Sequence, residues 1–370
     1  MELSMTHSVQ INDGFTQTSA DGVNMAFDHE YGIMFCVYMP GPQGHYGESR
    51  GRISLTFFPA SQPTHTKTVD IASGHDEYVP NIISLGHGRV RILYEKDSRA
   101  DEDHRICRRD FDFRSGAISD ERTVMLKRDD GAFVPLTESE QFAYLERLGL
   151  CRHTRLDTEQ ISIGGHTIFS HGGALYGSIT SYSAEPILYR SDDRMETVEF
   201  FAAVPYPAQY EMDYKILGGK LYALFRTDSE TDSVRLTVSE DMGKTWSEPI
   251  ALADSIQCRP RLIVYHGHIL IAYNRYNPDT GNRPAVQQGR TEICLRLGED
   301  HDPNNNRLIA DLHSKYGIVN LCLCEILGDL YMAYSTSVLA LEYQNGNEQV
   351  RGKDAIRYLY LGDLTASDWT

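Results

Sequence analysis

The sequence predicts an all-β chain folded as a six-bladed β-propeller, and three observations carry that prediction. A short unit recurs six times, built of an apolar strand, a Gly turn and a second apolar strand that often ends in an aromatic residue. The units return with a blade-like period of about 50 residues. The composition, with 22 tyrosines and 30 glycines, suits strands and tight turns better than helices.

Taken in order, the six copies occupy 24–39, 80–95, 165–180, 211–226, 259–274 and 320–335, with turn glycines Gly32, Gly88, Gly173, Gly219, Gly267 and Gly328. Successive glycines lie 56, 85, 46, 48 and 61 residues apart. The long second interval holds an insertion around 125–160, in which residues 138–148 have helical spacing and predict a short excursion over the propeller. A seven-bladed ring is the alternative if that interval hides a weak blade. A second hairpin follows each pair of strands, so four strands make one blade. The last strand, 355–361, is expected to close the ring by joining the first or the last blade. The whole chain, 1–370, then reads as one domain.

Charge and composition exclude several function classes. A formal net charge of −17 repels phosphate backbones, so no nucleic-acid partner is expected. An acidic ligand is met only at a local basic site. No run of 18 apolar residues occurs, and no membrane partner is expected. The first residues lack a basic leader and an apolar core, and the seven cysteines form no CxxC pair. Both features point to a reduced, cytoplasmic location with free buried thiols. No HExxH spacing and no Gly-rich phosphate loop occurs, so neither metal nor cofactor is expected.

The repeat also locates a candidate site. Eight residues before each turn glycine stand Asn24, Pro80, Gly165, Glu211, Arg259 and Asn320; seven after it stand Met39, Glu95, Thr180, Arg226, Asn274 and Ser335. Both sets lie at the strand ends away from the turn, around the mouth of the axial channel. Structural residues at repeated positions resemble one another; these do not, which points to chemistry. Glu211 and Arg226 sit at opposite ends of one hairpin, and antiparallel pairing brings them side by side. A plain cross-strand ion pair is the simplest account of them. Asp76, Glu77, His166, Arg261, Arg290 and Tyr316 fall near the same rim.

The most specific motif is Ser239-x-Asp241-x-Gly243-x-Thr245-Trp246. Gly243 suits the positive φ of a tight hairpin, Asp241 and Ser239 can bond the turn's backbone, and Trp246 supplies an apolar plug, expected buried. Residues 189–196 read as a degenerate copy. This motif resembles the Asp-box, or BNR repeat, of the sialidase superfamily. The resemblance implies a carbohydrate substrate and an exo-acting glycoside hydrolase for an acidic sugar. It implies Tyr316 as nucleophile, Glu211 as its base, Asp76 (or Asp97) as acid/base, and arginines, here Arg226 and Arg290, clamping the substrate carboxylate. Arg259, Glu77, His166 and Tyr94 are further substrate-binding positions. A departure lies in the first blade, where the superfamily's Arg-Ile-Pro reads Tyr38-Met39-Pro40 and Arg50 and Arg52 follow. Related propellers also include uronate lyases that use His and Tyr, for which His45, His75, His166 and His171 with Tyr94 or Tyr210 are the residues at hand. A non-catalytic glycan-binding propeller is the remaining alternative.

Overall fold

The computed structural model describes residues 2–4, 8–11, 19–41, 52–73, 77–96, 104–150, 168–180, 185–206, 211–227, 233–256, 258–275, 292–298, 306–313, 317–337 and 355–364. The chain opens with two short strands, β1 (Glu2–Ser4) and β2 (Val9–Gln10). Blade one is β3 (Ser19–Asp28), β4 (Ile33–Gly41), β5 (Ile53–Pro59) and β6 (Lys67–Ala72). Blade two is β7 (Glu77–Gly86), β8 (Arg89–Lys96) and β9 (Arg105–Asp112), edged by β10 (Ala117–Ile118) and β11 (Arg122–Thr123).

The insertion comes next, with β12 (Met125–Lys127), β13 (Phe133–Pro135) and helix α1 (Glu138–Arg147). It leads into β14 (Phe169–His171), β15 (Ala174–Ile179), β16 (Ile187–Ser191) and β17 (Thr197–Ala203), the body of blade three. Blade four is β18 (Met212–Leu217), β19 (Lys220–Arg226), β20 (Val234–Ser239) and β21 (Ile250–Ala251). Blade five is β22 (Arg261–Tyr265), β23 (His268–Asn274), β24 (Glu292–Gly298) and β25 (Arg307–His313). Blade six is β26 (Gly317–Ile326), β27 (Asp329–Ser337) and β28 (Ala355–Gly362).

Six sheets therefore stand in chain order, and the expected six-bladed propeller is what the chain forms. The seven-bladed alternative falls, because the insertion adds to blade three instead of making a blade. Its β12 runs parallel to β17, Met125 opposite Thr197, and β13 pairs outside β12. Helix α1 does not cross the propeller: Tyr144 and Leu145 pack on Ile187, Phe200 and Ala203 of the same blade. Glu138 and Glu140 in its first turn and Arg147 in its last match the helix dipole.

The strand expected to close the ring does join the last blade, as its third member. The fourth place is filled from the other end of the chain, where Val9 of β2 pairs with Tyr358 of β28. Closure is thus a sheet contact between the two ends of the sequence. Outside blade five, β1 adds a parallel edge strand, Glu2 opposite Asp311.

The core is divided among wedges between neighbouring blades. Phe35 and Val37 of blade one meet Val90, Ile92 and Tyr94 of blade two, and the same kind of packing repeats around the ring. One position recurs in every wedge: six residues past the turn glycine stand Tyr38, Tyr94, Ile179, Phe225, Tyr273 and Tyr334, all buried. Such repetition marks a packing position. At the opposite end of the hairpins, two successive residues take positive φ, as in His87-Gly88, His266-Gly267 and Leu327-Gly328. That is the requirement of the tight primed turns, whose twist matches the strands.

Two outer hairpins share one hydrogen-bond design. In blade four, Asp241 Oδ1 accepts from Lys244 N and Thr245 N at 3.0 and 2.8 Å, Oδ2 accepts from Thr245 Oγ1 at 2.7 Å, and Ser239 Oγ accepts from Gly243 N at 2.7 Å. In blade three, Asp193 and Ser191 make the same bonds to Glu196, Thr197 and Met195. Gly243 lies at φ +89°, and a Cβ there would stand 2.5 Å from Ala202 Cβ. Met195 fills the corresponding place in blade three at φ 67°, so the design tolerates a side chain where the neighbour leaves room. Trp246 is half-buried, less than expected, because its indole N–H reaches Ala203 O at 3.0 Å and holds the ring at the wedge edge.

Candidate functional site

The site grows out of period-two alternation in the inner strands. In β18 and the residue before it, Glu211, Asp213 and Lys215 point to one face, while Met212, Tyr214 and Ile216 join the wedge with blade three. The charged face looks toward blade five, where Asp213 Oδ2 accepts from Leu262 N at 3.0 Å.

Glu211 stands at the mouth. Its backbone carbonyl accepts from Arg226 N at 2.9 Å, which extends the hairpin by one rung. That rung sets the side chains together, and Arg226 Nη1 donates to Glu211 Oε2 at 2.8 Å. From blade five, Arg259 Nε lies 3.8 Å from Glu211 Oε1. Side-chain exposures of 12% for Glu211, 16% for Arg226 and 6% for Arg259 separate this group from an ordinary surface ion pair.

Further along the inner strands lies a layer of buried polar side chains. Lys215 Nζ donates to Asp213 Oδ1 at 2.6 Å and to Tyr214 O at 2.9 Å, and lies 4.7 Å from the centre of the Phe169 ring. Burial pushes the Lys215 ammonium below its ordinary pKa, with Asp213 opposing. Arg261 donates from Nε to Leu321 O of blade six and from Nη2 to Asn24 Oδ1 of blade one at 3.4 Å. Asn24 in turn donates to Pro80 O of blade two at 2.8 Å. These side chains link blades four, five, six, one and two around the axis.

Three inner strands bend near the same repeat level. Register shifts fall between Asp21 and Asn24, between Tyr78 and Asn81, and between Val319 and Leu321. Bulges of this kind redirect side chains at sheet rims. Beside one of them, Met39 of blade one receives the Val79 N–H on its sulfur at 3.1 Å. Tyr38, which stands at the arginine position of Arg-Ile-Pro, is buried, its hydroxyl 3.1 Å from Thr56 Oγ1. Arg52 lies at the start of β5 and pairs with Asp70 at 2.9 Å.

Of the residues named from the sequence, Glu211, Arg226 and Arg259 come together. Tyr94 does not face the mouth: its hydroxyl donates to Glu121 at 2.7 Å and accepts from Arg109 at 3.2 Å, inside blade two. It occupies the recurring aromatic position, and that repetition was the signal for a packing role. His171 ends β14 beside the Gly172-Gly173 turn, on the face opposite the mouth. Tyr316, Asp76, Arg290, His166, His45, His75, Asp97 and Tyr210 lie outside the described residues, as does the side chain of Glu77, the first residue of β7. Asp213 and Lys215 were missed, although charges at every second position of an otherwise apolar inner strand mark an axial face. Among the described residues no group of three or more His, Cys, Asp or Glu side chains is placed to hold a metal ion. No helix among them is long and apolar enough to cross a membrane.

No protein-family model matches the chain, and no curated protein matches it. Among solved structures, a mutant of Trypanosoma rangeli sialidase displaying trans-sialidase activity superposes with a TM-score of 0.62 at 11% identity, over 96% of this chain and 58% of that one. The chain thus spans little more than half the length of that enzyme. A Hadza microbial sialidase gives 0.63 at 10% identity over 96% of this chain and 68% of that one. A protein of unknown function from Dyadobacter fermentans gives 0.63 at 11% identity, covering 95% and 97%. The chain has the β-propeller fold of the sialidases.

Proposed function

We propose that the protein is a carbohydrate-active enzyme, an exo-acting glycoside hydrolase for an acidic sugar, with its site at the mouth of the channel. The observation that carries this reading is the half-hidden group of Glu211, Arg226 and Arg259 on a sialidase fold. Trypanosoma rangeli sialidase has been solved with sialic acid, and with 2,3-difluorosialic acid as a covalent intermediate. The Ser239–Trp246 hairpin, read as an Asp-box, points to the same superfamily.

In this reading Arg226 orients the Glu211 carboxylate, and Glu211 takes the proton of the Tyr316 hydroxyl as its oxygen attacks the anomeric carbon. The glycosidic oxygen leaves with a proton from Asp76. Water then cleaves the tyrosyl-sugar bond, and Asp76 and Tyr316 recover their protons. Arg226 and Arg290 bind the sugar's carboxylate, for which a guanidinium fork is well shaped. Glu77 and His166 contribute contacts at the rim.

The test is turnover of aryl glycosides of sialic acid and glucuronic acid by the wild type and Tyr316→Phe. The variant is expected to lose about 10³-fold or more in kcat while still binding the sugar. An active Tyr316→Phe overturns the nucleophile. If an unsaturated uronate then accumulates from a uronate polymer, the reaction is the alternative elimination.

A further inference from the structure

Between blades two and three lies a cluster of charges that the mouth does not use. Cross-strand pairing sets its shape. Arg91 of β8 stands opposite Asp110 of β9, and Arg108, two residues before Asp110, shares that face. Arg122 of β11 stands directly opposite Arg108. Like charges in that arrangement repel, so pairing alone gives no reason for the two arginines.

Blade three closes the cluster from the other side. Its outer hairpin brings Arg194 O to 2.7 Å from Arg91 Nη1, and Glu196 Oε1 lies 3.4 Å from Arg91 Nη2. Arg91 is well satisfied, since Nε and Nη2 also donate to Asp110 at 2.7 and 2.8 Å. Arg108 is not. Its side chain is 9% exposed, yet Nε has no hydrogen-bond partner, and its one ion pair among the described residues, Nη2 to Glu196 Oε1, is 3.7 Å long. Arg122 is exposed and makes no ion pair among the described residues. Burial, then Arg91, push the Arg108 guanidinium below its ordinary pKa, with Glu196 and Asp110 opposing. A buried charged donor without an acceptor is costly and calls for one. The cationic excess here also reverses the field of a chain whose net charge is −17.

We propose that Arg108 and Arg122 form a second binding site, apart from the mouth, for the tetrahedral oxyanion of a sulfate or phosphate group. Arg91 flanks it, and Glu196 is the internal acceptor that the ligand displaces. Guanidinium forks on two adjoining strands approach from different directions, and a tetrahedral group offers oxygens to both where a planar carboxylate does not. Arg91 stands three residues past the turn glycine Gly88, so the site lies toward the turn side of the blades, away from the Glu211 rim. A free anion and a sugar ester present the same group to it.

Calorimetric titration at fixed ionic strength with sulfate, inorganic phosphate, N-acetylglucosamine 6-sulfate and acetate tests it. In the wild type at least one tetrahedral anion is expected to bind saturably, about 10-fold or more tighter than acetate. Arg108→Gln and Arg122→Gln are each expected to weaken that anion about 10-fold or more. Arg122 is exposed, so its variant decides if the Arg108 protein fails to fold by circular dichroism. Glu196→Gln should hold or raise the affinity, since it removes the competing carboxylate. A sugar sulfate that outbinds free sulfate assigns the site to a sulfated glycan, and a free anion that binds as well or better assigns it to the anion itself. The proposal is overturned if no tetrahedral anion binds saturably, if acetate binds as tightly, if the arginine variants keep wild-type affinity, or if Glu196→Gln abolishes binding.

Discussion

At the scale of single residues, the axial layer shows how a buried charge is kept. Asp213 is shared between an ammonium on its own strand and a backbone N–H on the next blade, through Lys215 Nζ and Leu262 N. Breaking a buried pair by removing one partner strands the other charge, which costs about 3–5 kcal/mol. Lys215→Met is therefore expected to destabilise by about that amount in urea unfolding. The double variant Asp213→Asn with Lys215→Met should recover part of the loss, as a double-mutant cycle would read. A Lys215→Met protein of unchanged stability would show that Asp213 is held by its backbone donors alone. Glu211 was legible before any fold was known, because its spacing from Arg226 matches one hairpin. Asp213 was not, because a charge in the middle of a strand reads as a solvated face until its neighbours are placed.

At the scale of elements, the hairpin at Ser239–Trp246 is a small acid-sensitive clasp. The side-chain bond from Thr245, then the backbone bond from its N–H, hold the Asp241 carboxyl down to about 2. A carboxylate with a depressed folded pKa adds stability above its ordinary value of 3.8 and loses it as pH falls through the folded value. Thermal melts between about pH 5 and pH 2 should therefore show wild type and Asp241→Asn converging as the acid end is approached. A difference that stays constant across that window would exclude the carboxylate's charge as the source. In the same hairpin, Trp246→Ala should cost about 2–3 kcal/mol, below the figure for a fully buried aromatic, since the ring is half-exposed and loses one hydrogen bond to Ala203. Turnover well below the melting temperature should survive, because the hairpin belongs to the outer strands. The blade-three copy was legible only as a degenerate pattern, although Ser191, Asp193 and Thr197 keep all the polar positions. What changed there are the glycine, replaced by Met195 at a similar positive φ, and the tryptophan, replaced by Val198.

At the scale of the whole molecule, the ring is closed by a few residues from one end of the chain. Val9 and Gln10 complete blade six against Tyr358 and Arg357, and Ile11 follows with a backbone bond to Ile356 at 3.0 Å. Without them β28 loses its partners at Tyr358, Arg357 and Ile356 and becomes an exposed edge. Deleting residues 1–11 is expected to lower the melting temperature by roughly 5–10 °C and to produce association visible by size-exclusion chromatography. An unchanged melt and a monomeric profile would show that the inner strands hold the ring unaided. The insertion works in the opposite sense, widening blade three with β12 and β13 and covering its outer strands with α1.

The sequence by itself determined the number of blades, the position of every inner hairpin and the meeting of Glu211 with Arg226. Each follows from local rules, the period of two in strands and the glycine demanded by a tight turn. Only the tertiary structure decided which of the rim residues share a space. Arg259 reaches Glu211 and Asn24 reaches Arg261 because the ring brings blades four and five, and one and five, around a common axis. Tyr94 turns into its own blade for the same reason, since the side of a strand that faces a neighbouring blade is set by the order of the sheets.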